Sequence, residues 1–203
     1  LIVGCGWSPE AQGPQALRLI DAASTGSIGD LPCGEPLRGF KAAALGPRLH
    51  DAPRNVEARR HETAEALWLE LAHDGWVRRF GLRHERRLYL DRHADEMRGE
   101  DRFTPMGGAV RDGRKFIPSM VRFHLHPDVK ASLARDGKSV LLRLDGADHG
   151  WWLRSDSQEV ALETSVYFQD SAPKRSQQVV LRGQVRLDKG ARLRWKLAPA
   201  EPH

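Results

Sequence analysis

The sequence lacks most of the features that mark the common functional classes. It contains only two cysteines, Cys5 and Cys33, so neither a disulfide-rich scaffold nor a zinc site built from paired Cys-x-x-Cys motifs is compatible with it. No apolar run approaches the roughly 20 residues that a membrane-spanning helix needs. The motifs HExxH and GxSxG and the phosphate-binding loop are also missing. These absences exclude the most familiar zinc proteases, serine hydrolases and nucleotide-binding enzymes.

Basic residues outnumber acidic ones, with 32 lysines and arginines against 27 aspartates and glutamates. Most of the excess is arginine, whose guanidinium forms bidentate contacts with carboxylate, sulfate and phosphate groups. This favours an acidic polymer as a partner, although the alternation of arginines with acids is equally typical of a mixed soluble surface. The aromatic platform of a single-strand binder is not visible, so neither nucleic acid nor a membrane is predicted as a partner.

The N-terminal segment LIVGCGWSPE has neither an initiator methionine nor a charged-then-apolar leader. We therefore expect either a processed protein or a piece of a longer one. Cys5 and Cys33 either form a disulfide in an oxidising compartment or remain two thiols, and their spacing does not decide between the two. The length suffices for a core without disulfides, and we expect a single domain over residues 1–203.

The dominant hydrophobic period is two, which is typical of β-strands with one buried face. The apolar residues that share a face are Leu67, Leu69 and Leu71 in one run and Phe80, Leu82, Leu88 and Leu90 in the next. Asp74 and Gly75 between the runs predict a hairpin turn. His84 and Arg86 share the face of Phe80, Leu82, Leu88 and Leu90 in the second run.

The C-terminal half repeats this alternation more cleanly. Its alternating apolar runs are Val140 to Leu144, Val160 to Phe168, Val179 to Leu187 and Leu193 to Leu197. Turn-rich segments separate them, and only a short helical turn over residues 128–135 is expected among them. Antiparallel strands at this spacing predict an all-β protein, an antiparallel β-sandwich of stacked sheets.

Three histidines are candidate ligands. His124 and His126 in VRFHLHPDV share the polar face of a strand, about 6.5 Å apart, so they either bind one ion together with a third ligand or decorate a strand surface. His73 ends the leucine face of its strand. It is either a hydrogen-bonded core residue or a metal ligand or acid/base group at a cleft.

Three tryptophans lie at strand starts beside turns, where an indole either stacks on a sugar ring or plugs the core. Trp76 follows the predicted hairpin turn. Trp151 and Trp152 are adjacent in one strand, so they must point to opposite faces of its sheet.

Several long segments in the same order resemble the C-terminal part of bacterial heparinase II/III-like proteins. They read LGPRLHDAPRNVEARR, LELAHDGWVRRFGLRHERRLYL, MRGEDRFTP, VRFHLHPDVKASLARDGKSVLLRL and ETSVYFQDSAPKRSQQVVLRG. The resemblance covers the chain from about residue 1 to residue 199. It implies a β-sandwich that packs, in the intact family, against an N-terminal α-helical toroid absent from this chain.

The family resembles polysaccharide lyases that cleave uronic-acid-containing chains by β-elimination, with most of the catalytic machinery in the toroid. Its β-domain contributes two cleft histidines that are associated in some members with a structural zinc ion. The histidine of an HDGY-like segment matches His73 in AHDGW, with Trp76 in place of tyrosine. The histidine of an AHST-like segment is missing, because Ala23 runs straight into Ser24, and His50 or His61 would have to replace it.

The resemblance therefore implies the C-terminal domain of a polysaccharide lyase that forms one wall of an acidic-glycan cleft and is inactive by itself. It assigns no catalytic residue to this chain. His73 and Trp76 are the expected substrate-binding residues, and His73 is the expected ligand of a structural zinc ion, which the missing AHST-like histidine calls into question. The expected partners are an acidic polysaccharide and the toroid, in the periplasm or cell envelope. The alternative is a non-catalytic module that binds acidic carbohydrate or another envelope component.

Overall fold

The computed structural model describes residues 1–4, 24–29, 31, 33–37, 39–46, 48–107, 113–169 and 172–200. These contain two short helices, α1 (Gly39–Leu45) and α2 (Val77–Phe80). The strands of the N-terminal half are β1 (Ile2–Val3), β2 (Gly26–Ile28), β3 (Glu35–Pro36), β4 (Leu49–His50), β5 (Val56–Glu62), β6 (Ala66–Trp76), β7 (Leu82–Asp91) and β8 (Glu96–Pro105). Those of the C-terminal half are β9 (Phe116–Leu125), β10 (Val129–Leu133), β11 (Ser139–Leu144), β12 (Gly150–Ser155), β13 (Glu159–Gln169), β14 (Ala172–Arg186) and β15 (Ala191–Pro199).

Two antiparallel sheets account for most of the strands. The larger has eight strands in the order β10-β11-β12-β15-β8-β7-β6-β5. The smaller has the order β1-β9-β14-β13, with β2 also paired to β9. Strands β3 and β4 form a separate pair. The last strand, β15, lies inside the larger sheet between β12 and β8 and joins its two halves.

The core lies between the two sheets. Strand alternation places Val121, Phe123 and Leu125 of β9 inward, where they meet residues of the eight-stranded sheet such as Leu153 and Trp195. A second buried cluster surrounds Trp76, Phe80 and Leu82 at the end where β6 passes into α2 and β7. The predicted all-β sandwich of antiparallel sheets is confirmed, because the period-two pattern is the pattern of strands with one buried face.

The structure corrects the local predictions at two places. Residues 129–133 form strand β10 in the larger sheet instead of a helical turn, because five residue pairs with β11 satisfy their backbone. Asp74 and Gly75 lie within β6 at a register shift, and the chain reverses through α2 instead. Gly81, in the left-handed conformation with a φ of 67°, ends that helix. Helix α1 lies in a region for which the sequence pattern predicted no regular element.

His124 and His126 have separate surroundings. His124 is buried, and its Nδ1 lies 2.7 Å from the hydroxyl of Ser165. His126 packs its ring against Tyr167 and lies 3.4 Å from the carboxylate of Asp128. Among the described residues, no group of three or more His, Cys, Asp or Glu side chains is arranged to hold a metal ion.

Two other sequence predictions concern the cysteines and the adjacent tryptophans. Cys5 lies outside the described residues, and so does its proposed pairing with Cys33. Trp151 and Trp152 point to opposite faces of β12: Trp151 packs against His149, and Trp152 lies under the guanidinium of Arg154. No helix in the described ranges is both long and apolar enough to cross a membrane.

Candidate functional site

Two histidines on neighbouring strands are in direct contact at one end of the larger sheet. His73 on β6 is the cross-strand partner of His84 on β7, and its Nε2 lies 3.2 Å from His84 Nδ1. The other nitrogen of His84, Nε2, lies 2.8 Å from the carboxylate Oδ1 of Asp101 on β8. We call these three side chains the histidine–aspartate network.

Asp101 anchors this network in the core with 0% of its surface exposed. Its Oδ1 also accepts a hydrogen bond of 2.8 Å from Arg86 Nε, and its Oδ2 accepts one of 3.1 Å from the indole N–H of Trp195. Burial alone would raise the pKa of Asp101, but the hydrogen bond from His84 and the charge of Arg86 outweigh burial and lower the pKa. The ionised carboxylate therefore ties β7, β8 and β15 together.

The hydrogen bonds of the network run in one consistent direction. The backbone N–H of Gly75 donates to His73 Nδ1 over 3.2 Å, so the proton of neutral His73 is assigned to Nε2. His73 then donates to His84 Nδ1, and the proton on His84 Nε2 points at Asp101. All ring nitrogens of both histidines are thus used inside the protein.

The two residues that follow His73 in the AHDGW segment, Asp74 and Gly75, have structural roles. A Cβ at Gly75 would lie 2.7 Å from the Cβ of Cys33, so only glycine permits this approach. The carboxylate of Asp74 accepts hydrogen bonds from the backbone N–H groups of Arg54, at 2.8 Å, and Asn55, at 3.1 Å. The bond from Asn55 contributes most to lowering the pKa of Asp74. Asp74 thereby fixes the segment that leads into β5.

Trp76 is a core residue with 1% of its surface exposed. Its ring centroid lies 5.1 Å from that of His73, 5.7 Å from that of His84 and 6.1 Å from that of Phe103. An indole packed in this way presents no free face for a sugar ring. The expected substrate-binding roles of His73 and Trp76 stay predictions, and in this arrangement Trp76 supports the site from below its surface.

A cavity of about 260 Å³ opens beside the network. Its wall includes Gly75 and Trp76 together with three arginines, Arg54, Arg78 and Arg79. Arg78 forms an ion pair with Asp51, while Arg54 is exposed at the rim. Asp51 and Asp74 also border this cavity, so its wall carries charges of both signs.

The surroundings of His73 do not fit a zinc ligand. A metal needs an unprotonated imidazole nitrogen with a free lone pair, whereas the Nδ1 lone pair of His73 accepts the Gly75 N–H and Nε2 carries a proton toward His84. Burial, reinforced by His84, lowers the pKa of His73 from 6.5 to about 4. His73 is therefore neutral near pH 7 and cannot act as a general acid there.

The displaced pKa of His73 makes stability depend on pH. Between pH 6.5 and about 4, the unfolded chain binds a proton at His73 that the folded chain excludes, so the free energy of unfolding falls as the pH falls through this window. Above pH 6.5 His73 contributes no pH dependence. The full shift corresponds to about 3 kcal/mol.

Urea unfolding at closely spaced pH values between 7.5 and 4 measures this effect. We expect His73→Gln to remove most of the slope between pH 6.5 and 5, where few carboxylates titrate. His93→Gln, a change at an exposed histidine in the β7–β8 turn, is the matched control and should keep the wild-type slope. Parallel curves for wild type and His73→Gln would contradict the assignment.

Sequence reasoning found one end of this network and missed the rest. His84 and Arg86 were visible as polar residues on the apolar face of their strand, and Asp101 shares the inward face of β8 with Phe103. A carboxylate, a guanidinium and an imidazole on inward faces are the available signal for a buried network, since buried charges must be paired. Their pairing depends on strand register, which the sequence does not give.

A known protein family matches almost the whole chain. The family described as "Heparinase II/III-like, C-terminal" matches residues 1–196. The chain therefore belongs to the heparinase II/III-like C-terminal family, and the resemblance seen in its sequence is confirmed.

One relative is much more similar than the solved structures described below. FtsZ-localized protein C of Caulobacter vibrioides (strain NA1000 / CB15N) is 51% identical to this chain over 204 residues. The match covers 99% of this chain and 35% of the relative, so the chain spans about a third of that protein's length.

Lyase structures share the fold at low sequence identity. Heparan sulfate lyase HepC from Pedobacter heparinus superposes with a TM-score of 0.63 at 11% identity, covering 88% of this chain and 24% of the lyase. Heparinase III gives a TM-score of 0.61 at 16% identity, covering 90% of this chain and 24% of that enzyme. These similarities establish a common β-domain fold.

Proposed function

We propose that this chain is a non-catalytic interaction domain of a protein that localises with FtsZ at the cell envelope. The observation that carries the proposal is the 51% identity with FtsZ-localized protein C across almost the entire chain, against 11% and 16% with the two lyases. In this function the heparinase-like β-sandwich is a rigid body that presents binding surfaces. The remaining two thirds of such a protein would include the toroid that the family resemblance implies.

The chemistry of the histidine–aspartate network supports a structural role. A general base or acid in β-elimination works best when its pKa lies near the working pH, whereas the pKa of His73 is lowered to about 4. Both nitrogens of His73 are also committed to hydrogen bonds within the domain. Tying four strands together around a buried carboxylate gives the network a role that needs no substrate.

A localisation experiment in Caulobacter tests this proposal. The segment of FtsZ-localized protein C that matches this chain is replaced by this chain, and the fluorescent chimera is compared with the intact relative and with a version lacking the segment. We expect the chimera to localise with FtsZ like the intact protein and the shortened version to lose much of its localisation. A shortened version that localises fully would show that the segment does not contribute and would contradict the proposal.

The second candidate function is one wall of an acidic-glycan cleft, which the arginine-lined cavity beside the network favours. Arg54, Arg78 and Arg79 border a concave surface that suits a uronate carboxylate or a sulfate group. In this function the toroid supplies the base and the acid, and the β-domain neutralises substrate charge. The buried position of Trp76 makes a Trp76→Ala variant unsuitable as a test, because it would disrupt the core.

Heparin chromatography and a lyase assay separate the two candidates. The interaction-domain proposal predicts no release of unsaturated uronate from heparan sulfate. It also predicts that an Arg54→Ala/Arg79→Ala variant elutes from heparin at the same salt concentration as a Lys130→Ala/Lys189→Ala control, which loses the same charge. A selective loss of retention in the cavity variant would favour the glycan wall instead. Measurable product from the isolated chain would contradict both functions.

A further inference from the structure

A groove crosses the outer face of the eight-stranded sheet, on the side opposite to the core. Strand register aligns two rows of outward side chains across five strands. One row is Trp68, Tyr89, Arg98, Lys196 and Arg154. The other is Glu70, Arg87, Glu100 and Arg194, continued by Asp156.

The floor of this groove is backbone. Between the two rows lie Leu88 and Trp195, whose side chains point into the sandwich, and Gly99, which has no side chain. The groove has a volume of about 570 Å³. Four steps between neighbouring strands, each about 4.8 Å, give it a length of about 19 Å. This is long enough for five or six residues of extended polypeptide.

One end of the groove is aromatic. The indole of Trp68 is 37% exposed, and its centroid lies 5.2 Å from the ring of Tyr89. The guanidinium of Arg98 lies 5.9 Å from the centroid of Tyr89 and forms an ion pair of 2.5 Å with Glu96. Exposed aromatic rings side by side form a surface on which an apolar side chain is shielded from water.

The other end of the groove is cationic. Arg154 lies over the ring of Trp152 at 5.2 Å, and no carboxylate of the described residues lies within ion-pair distance of it. Its neighbours differ in this respect: Arg194 pairs with Asp156 at 2.9 Å, and Lys196 pairs with Glu96. The charge of Arg154 acts on the carboxyl of Asp136 and helps to lower its pKa, but Arg154 is exposed and can also meet an anionic group from outside the domain.

We propose that this groove binds an extended acidic peptide. An apolar side chain of the peptide packs against Trp68 and Tyr89, and a carboxylate of the peptide pairs with Arg154. These two contacts are about 14–19 Å apart, which is three to four strand spacings. The difference between the two ends favours a peptide over a glycan, because a glycan repeats similar units along its length and a peptide changes its side chains. The inference does not depend on localisation with FtsZ or on the arginine-lined cavity.

Fluorescence anisotropy with a defined probe tests the groove. The probe is a fluorescein-labelled decapeptide with two leucines near one end, three glutamates near the other and a glycine–serine spacer. We expect saturable binding to the 203-residue chain, weakened at least tenfold by Arg154→Glu and at least threefold by Trp68→Ala. Lys189→Glu makes the same charge change in the exposed β14–β15 turn and should alter the affinity less than twofold.

Comparison ligands distinguish the alternatives. A probe with glutamines in place of glutamates should bind at least tenfold more weakly, and Tyr89→Ala provides a second aromatic variant if Trp68→Ala is unstable. Equal binding to wild type and Arg154→Glu, or no saturable binding, would overturn the proposal. Displacement of the probe by a heparin tetrasaccharide at lower concentration than by unlabelled peptide would also overturn it and assign the groove to a glycan.

Discussion

Asp101→Asn is expected to lower the free energy of unfolding by about 3–5 kcal/mol, the range found when one partner of a buried charge network is removed. The substitution keeps the shape of the side chain and changes its hydrogen bonding. The carboxylate accepts from His84, Arg86 and Trp195 at once. An amide nitrogen in that position faces a donor, and the guanidinium of Arg86 loses its buried counter-charge.

Urea unfolding followed by tryptophan fluorescence measures this loss. Asp145→Asn is the matched control. Both side chains of the ion pair between Asp145 and Lys130 are exposed, so this pair should contribute less than about 1 kcal/mol to the free energy of unfolding. If both variants unfold at the same urea concentration, the network does not stabilise the sheet in the way described.

Gly190→Ala is expected to be comparably severe, with a loss of about 3–5 kcal/mol, of which about 1–2 kcal/mol is backbone strain. Gly190 closes the turn between β14 and β15 with a φ of 79°. A Cβ built there lies 2.1 Å from the carbonyl oxygen of Phe103, which is backbone and cannot rotate away. The substitution must therefore shift β15 against β8, next to the buried Phe103.

A second glycine separates strain from steric overlap. Gly137 has a φ of 63°, in the same left-handed region, but a Cβ there meets nothing within 4 Å. Gly137→Ala should therefore lose only the strain contribution, about 1–2 kcal/mol. Thermal unfolding of both variants provides the comparison. A smaller loss for Gly190→Ala than for Gly137→Ala would show that the overlap is relieved without cost.

The long strands that bury one face were predictable, whereas β5, which is exposed along its whole length, showed no such pattern. Alternation over Val160 to Phe168 and Val179 to Leu187 led directly to β13 and β14. Local pattern failed where tertiary pairing decides the outcome. Residues 129–133 are a strand because β11 lies beside them, and α2 replaces a simple turn because β6 shifts register between His73 and Trp76. Neither partner is visible in the local sequence.

The candidate site was predictable only in part for the same reason. The AHDGW segment identified His73, but its partners come from β7, β8 and β15, up to 94 residues apart along the chain between Asp101 and Trp195. The groove on the outer face depends even more on strand register, because Trp68 and Arg154 line it from strands that are far apart in the sequence. Polar residues at inward positions were the available signal, and geometry was needed to connect them.

The position of β15 inside the larger sheet has a consequence for synthesis on the ribosome. Until Ala191–Pro199 emerge, β10 to β12 and β5 to β8 are separate sheet fragments, because β15 is the strand that joins them. The nascent chain then exposes two unpaired strand edges, one on β12 and one on β8, each able to pair with another chain. The larger sheet of this domain is therefore completed only after β15 has been synthesised, and we expect chaperones that shield strand edges to raise its yield.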